Sequence, residues 1–288
     1  MILTHLELQV SSPKSGRERA DLLLVSQGLA SSREKAQALI LAGLVSSNGS
    51  IVSKAGQLLP MTVLLTIDGG KHPYVGRGGI KLEKALREFA IDPSGVICLD
   101  IGAATGGFSD CLLQMGARKI YAVDVGYGQL AWQLRQDERV VNLERRNIRH
   151  LDASEIGDPI DLAVCDLSFI SLKHVLPRFK EFLQPQGQAV TLIKPQFEAG
   201  RGKVNRRGVV TDPQVHIEVL EHLQREAWNA GMKLVALTWS PIKGPKGNIE
   251  FLAQWHFLGA DRNIDSWDYK RTVVLAHLEL QGKRESGY

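Results

Sequence analysis

One short segment limits the fold of this chain more than any other. The apolar run Val96-Ile-Cys-Leu99 leads into Asp100 and then a loop with glycines at 102, 106 and 107. A run apolar at every position reads as a strand covered on both faces, as in a parallel sheet. Glycine has no Cβ, so the loop can turn sharply and lie close against a ligand. In a doubly wound sheet, the space past the carboxyl end of the first strand is where nucleotide-like ligands sit. The spacing removes two alternatives. A dinucleotide fingerprint needs glycines at i, i+2 and i+5, yet position 104 is Ala104. A P-loop needs a terminal Gly-Lys-Ser/Thr, which is absent. An ordinary strand–helix turn is the plain alternative.

The surrounding pattern supports an α/β reading. Strands are expected at residues 96–100, 119–125, 140–143, 161–166, 188–194, 233–240 and 249–257. Helices are expected at 80–89, 108–115, 129–136, 171–183 and 213–230. Such alternation implies a mainly parallel sheet covered by helices. Only a short loop, residues 241–248, joins the last two strands, so they are expected to pair antiparallel at the edge. This is the plan of the Rossmann-like methyltransferases, and the glycine loop fits the one that cradles S-adenosylmethionine (SAM) in them.

Ahead of this unit the chain reads as a small α+β module. Residues 19–27 and 33–41 read as helices, the second capped by Ser31 or Ser32. Ser47-Asn-Gly-Ser50 is a hairpin turn signal. Residues 58–67 read as one further strand. The expected organisation is a flexible leader at 1–16, the module at 17–68, a linker at 69–76, the large domain at 77–259 and a polar tail at 260–288 with one helix over 267–280.

Bulk properties exclude several classes. The chain has 288 residues, 44% of them hydrophobic and 23% charged, with a net charge of +4. That suits a soluble globular protein, and the mild basicity is compatible with nucleic acid. The N-terminal residues lack a signal-peptide pattern, and no apolar run approaches a membrane span. The three cysteines, Cys98, Cys111 and Cys165, fit no zinc spacing. A cytoplasmic protein with no metal and no membrane contact is expected, with a monomer favoured.

Asp124 ends the second strand, where an acidic side chain can accept hydrogen bonds from both ribose hydroxyls. Asn147 and Ile148, past the third strand, are placed to flank an adenine. Four more charged residues lie where charge is awkward. Asp166 and Lys194 end apolar strands, Glu250 opens the last one, and Lys81 begins the helix entering the domain. Aspartate and lysine are seldom buried unpaired, so strand ends converging on one crevice suggest a mutually compensated cluster. Methyl transfer to a hydroxyl needs a more nucleophilic oxygen. Desolvation and a neighbouring cation can lower a lysine pKa until its neutral amine acts as base. Lys194 is expected to take that role toward a ribose 2′-hydroxyl. Lys81 would supply the second charge, Asp166 would fix Lys194 beside the methyl donor, and Glu250 would hold a lysine in register.

Arg17, Arg19, Arg33, Lys35 and Lys54 cluster on the small module, where they could contact phosphate without reading sequence. Glu18-Arg-Ala-Asp21, Gly28-Leu-Ala-Ser-Ser-Arg33 and Val45-x-x-Asn48-Gly49 resemble the S-four-type RNA-binding module. The large domain resembles the FtsJ-like ribose methyltransferases. The combination of Asp100-Ile-Gly-Ala-Ala-Thr-Gly-Gly-Phe108, Cys165-Asp-Leu-Ser-Phe-Ile-Ser171, Ile193-Lys-Pro-Gln-Phe-Glu198, Gly208-Val-Val-Thr-Asp-Pro213 and Gly244-Pro-Lys-Gly-Asn-Ile-Glu250 resembles the haemolysin A (TlyA) family. That resemblance implies a SAM-dependent rRNA (cytidine-2′-O)-methyltransferase acting on ribosomal RNA or ribosomal subunits. It implies a catalytic tetrad of Lys81, Asp166, Lys194 and Glu250. It also implies a cofactor site drawing on Asp100, Gly102, Ala103, Thr105, Gly106, Gly107, Phe108, Asp124, Asn147, Ile148, Asp166 and Leu167. Gly76, Ala104 and Ala20 depart mildly from the family pattern. The competing readings are a non-catalytic rRNA-binding assembly factor, which the intact tetrad opposes, and a membrane-lytic protein, for which the sequence offers neither spanning helix nor barrel repeat.

Overall fold

A computed structural model describes residues 16–47, 50–52, 54–67, 73–258 and 266–282. The expected leader up to residue 15, the turn residues 48–49, residue 68 and the first half of the linker (69–72), and residues 259–265 and 283–288 at and beyond the end of the large domain lie outside the described residues.

The small module consists of β1 (Arg17–Arg19), α1 (Ala20–Ser26), α2 (Arg33–Leu41), β2 (Val45–Ser47), β3 (Ser50–Ile51), β4 (Leu58–Pro60) and β5 (Leu65–Ile67). Ser32 caps α2, its hydroxyl accepting from the Lys35 N–H. β2 and β3 pair antiparallel around the expected turn. Leu23, Leu24, Ala36, Ile40, Val45 and Leu65 form the core. Two expectations are corrected. Arg19, expected to open the first helix, instead ends a strand over 17–19, because those residues pair with β4, and that long-range ladder overrides local helix propensity. The expected strand over 58–67 divides in two. Pro60 has no N–H to extend a ladder, and the Val63 N–H donates to the Pro60 carbonyl and closes a turn. β4 then joins β1, while β5 joins β2.

The large domain runs α3 (Gly78–Glu88), β6 (Ile97–Ile101), α4 (Gly107–Gln114), β7 (Lys119–Asp124), α5 (Trp132–Arg135), β8 (Val140–Glu144), β9 (Ile160–Cys165), α6 (Phe179–Phe182), β10 (Leu183–Ile193), α7 (Pro195–Glu198), α8 (Pro213–Asn229), β11 (Met232–Trp239), β12 (Phe251–Phe257) and α9 (Tyr269–Gly282). Its seven strands lie in the order β11-β12-β10-β9-β6-β7-β8. The five strands from β10 to β8 are parallel, and β12 runs antiparallel to both β10 and β11. The last strand therefore inserts inside the sheet and leaves β11 at the edge. Alternate residues of β6 feed opposite faces, as the pleat requires: Leu99 and Ile101 join one core, Cys98 the other.

From β6 the chain winds through β7 to β8, then returns to lay β9 on the other side of β6. The switch point lies between the carboxyl ends of β6 and β9, where Ile101 pairs with Cys165. A crevice is expected there on topology alone.

Three further expectations change. The helix over 171–183 breaks into short 3-10 turns and the single turn α6, because Pro177 lacks the N–H a continuous helix needs. The helix over 129–136 contracts to α5. The tail is not simply polar: Tyr269, Val273, Ala276 and Leu280 of α9 are buried in the core shared with α8. The end of the expected linker is also packed. Tyr74 is buried, and the Val75 N–H donates to Asp110 Oδ2 at 2.7 Å.

Candidate active site

Loops following β6, β7, β8 and β9 enclose a cavity at the switch point. Gly102, Val123, Asp124, Asn147, Ile148 and Leu167 are among its walls. Gly102 has φ +84°, and a Cβ there would lie 2.6 Å from the Asp166 carbonyl oxygen. Only glycine lets the floor of the cavity pass that close beneath β9. Both Asp124 oxygens accept backbone donors, Oδ2 from Ala104 N–H at 2.9 Å and Oδ1 from Gly126 N–H at 2.6 Å. Each carboxylate oxygen keeps a second lone pair for a hydroxyl.

The rest of the glycine loop does different work. A Cβ on Gly106 would overlap Leu134, and one on Gly107 would press on backbone atoms of Gly76 and Gly79 at 3.1 Å. Gly107 lets α4 cross α3 closely, and Gly106 leaves room for Leu134 of α5; neither contact involves a ligand. Phe108 is buried in the α3–α4 core, and Ala103 and Thr105 are also buried. Asp100 is fully buried and accepts from the Ser109 N–H and hydroxyl through Oδ2. It anchors the start of α4 and leaves Oδ1 without a donor. Burial pushes the Asp100 carboxyl up to about 7. Of the expected cofactor residues, Gly102, Asp124, Asn147, Ile148 and Leu167 line the cavity; Gly106, Gly107 and Phe108 shape its support.

The four expected catalytic residues meet in two ion pairs. Lys81, on the first turn of α3, places Nζ 2.6 Å from Glu250 Oε2. Lys194, just past β10, places Nζ 2.5 Å from Asp166 Oδ1 and donates to the Ser168 hydroxyl at 2.8 Å. Glu250 immediately precedes β12 rather than opening it. The close α3–α4 crossing is what carries Lys81 inward. The Lys81 side chain is 9% exposed, and that of Glu250 is fully buried. The pairs also feel each other. Burial raises the Asp166 pKa, but Lys194 and Lys81 outweigh it and hold the carboxyl below its ordinary value. Burial disfavours the Lys194 ammonium, but Asp166 and Glu250 outweigh it and hold the amine above its ordinary value. The expected lowering of Lys194 is thus reversed in this state, because two carboxylates face it against one further amine.

Sequence reasoning missed four neighbours. Ser168 bonds Lys194. Phe169 is 87% exposed at φ +67° and packs on Phe197 with ring centroids 5.0 Å apart. Glu198 accepts from Ser171 and Leu172. All four lie in segments already marked by Asp166 and Lys194, but a left-handed phenylalanine carries no sequence signal.

On the small module, Asp21 is fully buried and gathers Arg19 at 2.8 Å and Arg33 at 2.9 Å. Those two expected phosphate ligands are pinned by a carboxylate, with side chains still 38% and 50% exposed. The Arg19 guanidinium holds the Asp21 carboxyl well below the usual range against the effect of burial. Arg17 donates to the Leu58 carbonyl, and Lys35 and Lys54 are exposed.

Residues 74–257 match the family model of FtsJ-like methyltransferases, and residues 18–62 match that of the S4 domain. A candidate rRNA methyltransferase of Bacillus subtilis, YqxC, is 46% identical over 275 residues, covering 94% of this chain and 98% of that protein. The 16S/23S rRNA (cytidine-2′-O)-methyltransferase TlyA of Mycobacterium tuberculosis is 45% identical over 251 residues, covering 87% and 93%. A solved structure described as a candidate hemolysin of Streptococcus thermophilus superposes with a TM-score of 0.75 at 41% identity, covering 94% of this chain and all of the other.

Proposed function

The chain belongs to the FtsJ-like methyltransferase family, and from that premise we propose that it transfers a methyl group from SAM to a ribose 2′-hydroxyl, that of a cytidine, in ribosomal RNA. The observation that carries the proposal is the meeting of Lys81, Asp166, Lys194 and Glu250 beside the switch-point cavity.

The cavity suits SAM. Gly102 leaves room where a Cβ could not stand, Ile148 and Leu167 offer apolar walls, and Asp124 has acceptor capacity for ribose hydroxyls. When bound, SAM supplies an electrophilic methyl on a cationic sulfur. The chain supplies the rest. Asp166 and Ser168 aim the Lys194 amine. Lys81, held by Glu250, fixes the cluster from the α3 side. Lys194 takes the 2′-hydroxyl proton after losing its own, a step that Lys81 and the dry surroundings favour and the carboxylates oppose. Exposed Phe169, backed by Phe197, offers a ring face for the target base. Arg17, Arg19, Arg33, Lys35 and Lys54 dock RNA by its phosphates, two of them pre-aimed by Asp21. The three cysteines are free and buried, which supports a reducing, cytoplasmic setting.

The test is methyl incorporation from labelled SAM into ribosomal subunits lacking the mark, with the modified atom mapped. Wild-type protein is expected to methylate a 2′-oxygen, with kcat rising as pH rises from 7 to 9 because Lys194 is held protonated. Lys194→Ala is expected to abolish transfer. Methylation of a base, or wild-type rates from Lys194→Ala, would overturn the reading.

A further inference from the structure

Glu198 is a carboxylate in an unusual position. Burial pushes its pKa up, outweighing its hydrogen bonds and the nearby charge of Lys173, and among the described residues it forms no salt bridge. Holding a charge there without a partner is unfavourable unless other bonds compensate. Two do: Oε2 accepts from the Ser171 hydroxyl at 2.6 Å, and Oε1 accepts from the Leu172 N–H at 2.9 Å.

Both partners belong to the loop that carries Asp166 and Ser168. Glu198 itself ends α7, the single turn that starts directly after Lys194. One helical turn has little stability of its own. The 166–172 loop is irregular and contains the left-handed Phe169. Two weak segments therefore lie side by side, tied at two places. The near tie is Lys194 to Asp166 and Ser168. The far tie is Glu198 to Ser171 and Leu172, and the Phe169–Phe197 contact lies between them.

We infer that Glu198 is a positioning residue of the methyl transfer, latching the Asp166 loop to the turn after Lys194 so that the amine and its carboxylate keep one register. The inference rests on the methyltransferase reading above. Without the latch, only the near tie aligns the amine. That tie must itself loosen when Lys194 gives up its proton. A displacement of about 1 Å at a reacting group can lower a rate on the order of a hundredfold.

The test compares Glu198→Ala, Glu198→Gln and Ser171→Ala in the full-length protein. Steady-state methylation of undermethylated subunits gives kcat and KM, calorimetry gives the SAM affinity, and hydrogen exchange follows the 166–178 segment. Glu198→Ala is expected to lower kcat by about 10- to 100-fold, with KM and SAM affinity within about threefold, and to speed exchange in that segment. Ser171→Ala, which deletes one hydroxyl, is expected to move the same quantities less. Glutamine keeps an acceptor for Leu172 and can bond Ser171, so Glu198→Gln is expected to recover most of the rate. Unchanged kcat and exchange in both alanine variants would overturn the inference. So would a glutamine variant as slow as alanine, or a loss confined to KM. Failure of the wild-type protein to methylate any RNA would instead overturn the methyltransferase reading; the exchange comparison still decides whether the latch exists.

Discussion

Removing Glu250 should destabilise the large domain more than any exposed ion pair could. Its side chain is fully buried and its partner Lys81 is 9% exposed, with 2.6 Å between the charged atoms. Taking one member from a buried pair leaves an uncompensated charge and typically costs about 3–5 kcal/mol. Lys81 also acts on Asp166, and that remaining attraction places Glu250→Ala near the lower end, about 3 kcal/mol. Against a total stability on the order of 5–15 kcal/mol, the midpoint should fall visibly. Replacing both charges, as Lys81→Met with Glu250→Leu, should return most of the loss, because apolar side chains of similar size often match a buried pair. Leucine also avoids Gly244, which lies against the Glu250 carboxylate. Urea unfolding followed by tryptophan fluorescence is the assay. All five tryptophans lie between residues 132 and 267, so the signal reads the large domain and ignores the small module. The double variant should be folded and inactive. A loss below about 1 kcal/mol in Glu250→Ala would show that water reaches the pair, and the dry four-charge cluster would fall with it. Methyl transfer by the double variant would remove Lys81 and Glu250 from the catalytic assignment.

Asp100 predicts a pH slope. Its folded pKa, about 7, lies above the unfolded value near 4, so the native state keeps a proton that the unfolded chain releases. Stability should therefore fall as pH rises from about 4 to 7 and level off above; unfolding midpoints of Asp100→Asn should lack that part of the slope, and parallel curves would refute it. Gly102→Ala places a methyl 2.6 Å from a carbonyl at positive φ, so SAM affinity by calorimetry should drop at least about tenfold, and wild-type affinity would exclude Gly102 from the cavity floor. Asp21 titrates in the opposite sense to Asp100. Its folded pKa is depressed, so the stability it contributes is present above about pH 4 and lost as pH falls through the folded value. Hydrogen exchange over residues 16–67 should rise below pH 4 in the wild type and already be raised at neutral pH in Asp21→Asn; equal exchange in both proteins at pH 7 would refute the clamp.

The sheet was legible because its signals are local and periodic. Apolar runs ending in Asp100, Asp124, Asp166 and Lys194 mark strand ends, and strand ends in this topology share one edge. Part of what failed was decided by distant partners. Arg19 left the expected helix for a strand because β4 reaches it, and α9 joined the core because α8 lies beneath it. Pro60 and Pro177 were visible, and their missing N–H groups could have warned against one long strand and one long helix.

The glycine loop shows where a single signal carries two meanings. Gly102 serves the cavity, Gly106 makes room for Leu134 of α5 and Gly107 serves the α3–α4 crossing, yet all three look alike in sequence. The crossing nevertheless matters to chemistry, because it brings Lys81 to Glu250. The tetrad as assembled carries two amines and two carboxylates, and this balance explains why Lys194 stays protonated in the structure described. A general base must be neutral before it acts. One added positive charge in the cavity would tip the balance and ease loss of the Lys194 proton, by the same Coulombic effect that Lys81 exerts on Asp166. The same balance predicts that Glu250→Gln, which removes one of the two carboxylates raising Lys194, should move the rise of kcat/KM to lower pH while Ser168→Ala leaves it in place; an unmoved profile in Glu250→Gln would mean that the amine titrates independently of the cluster.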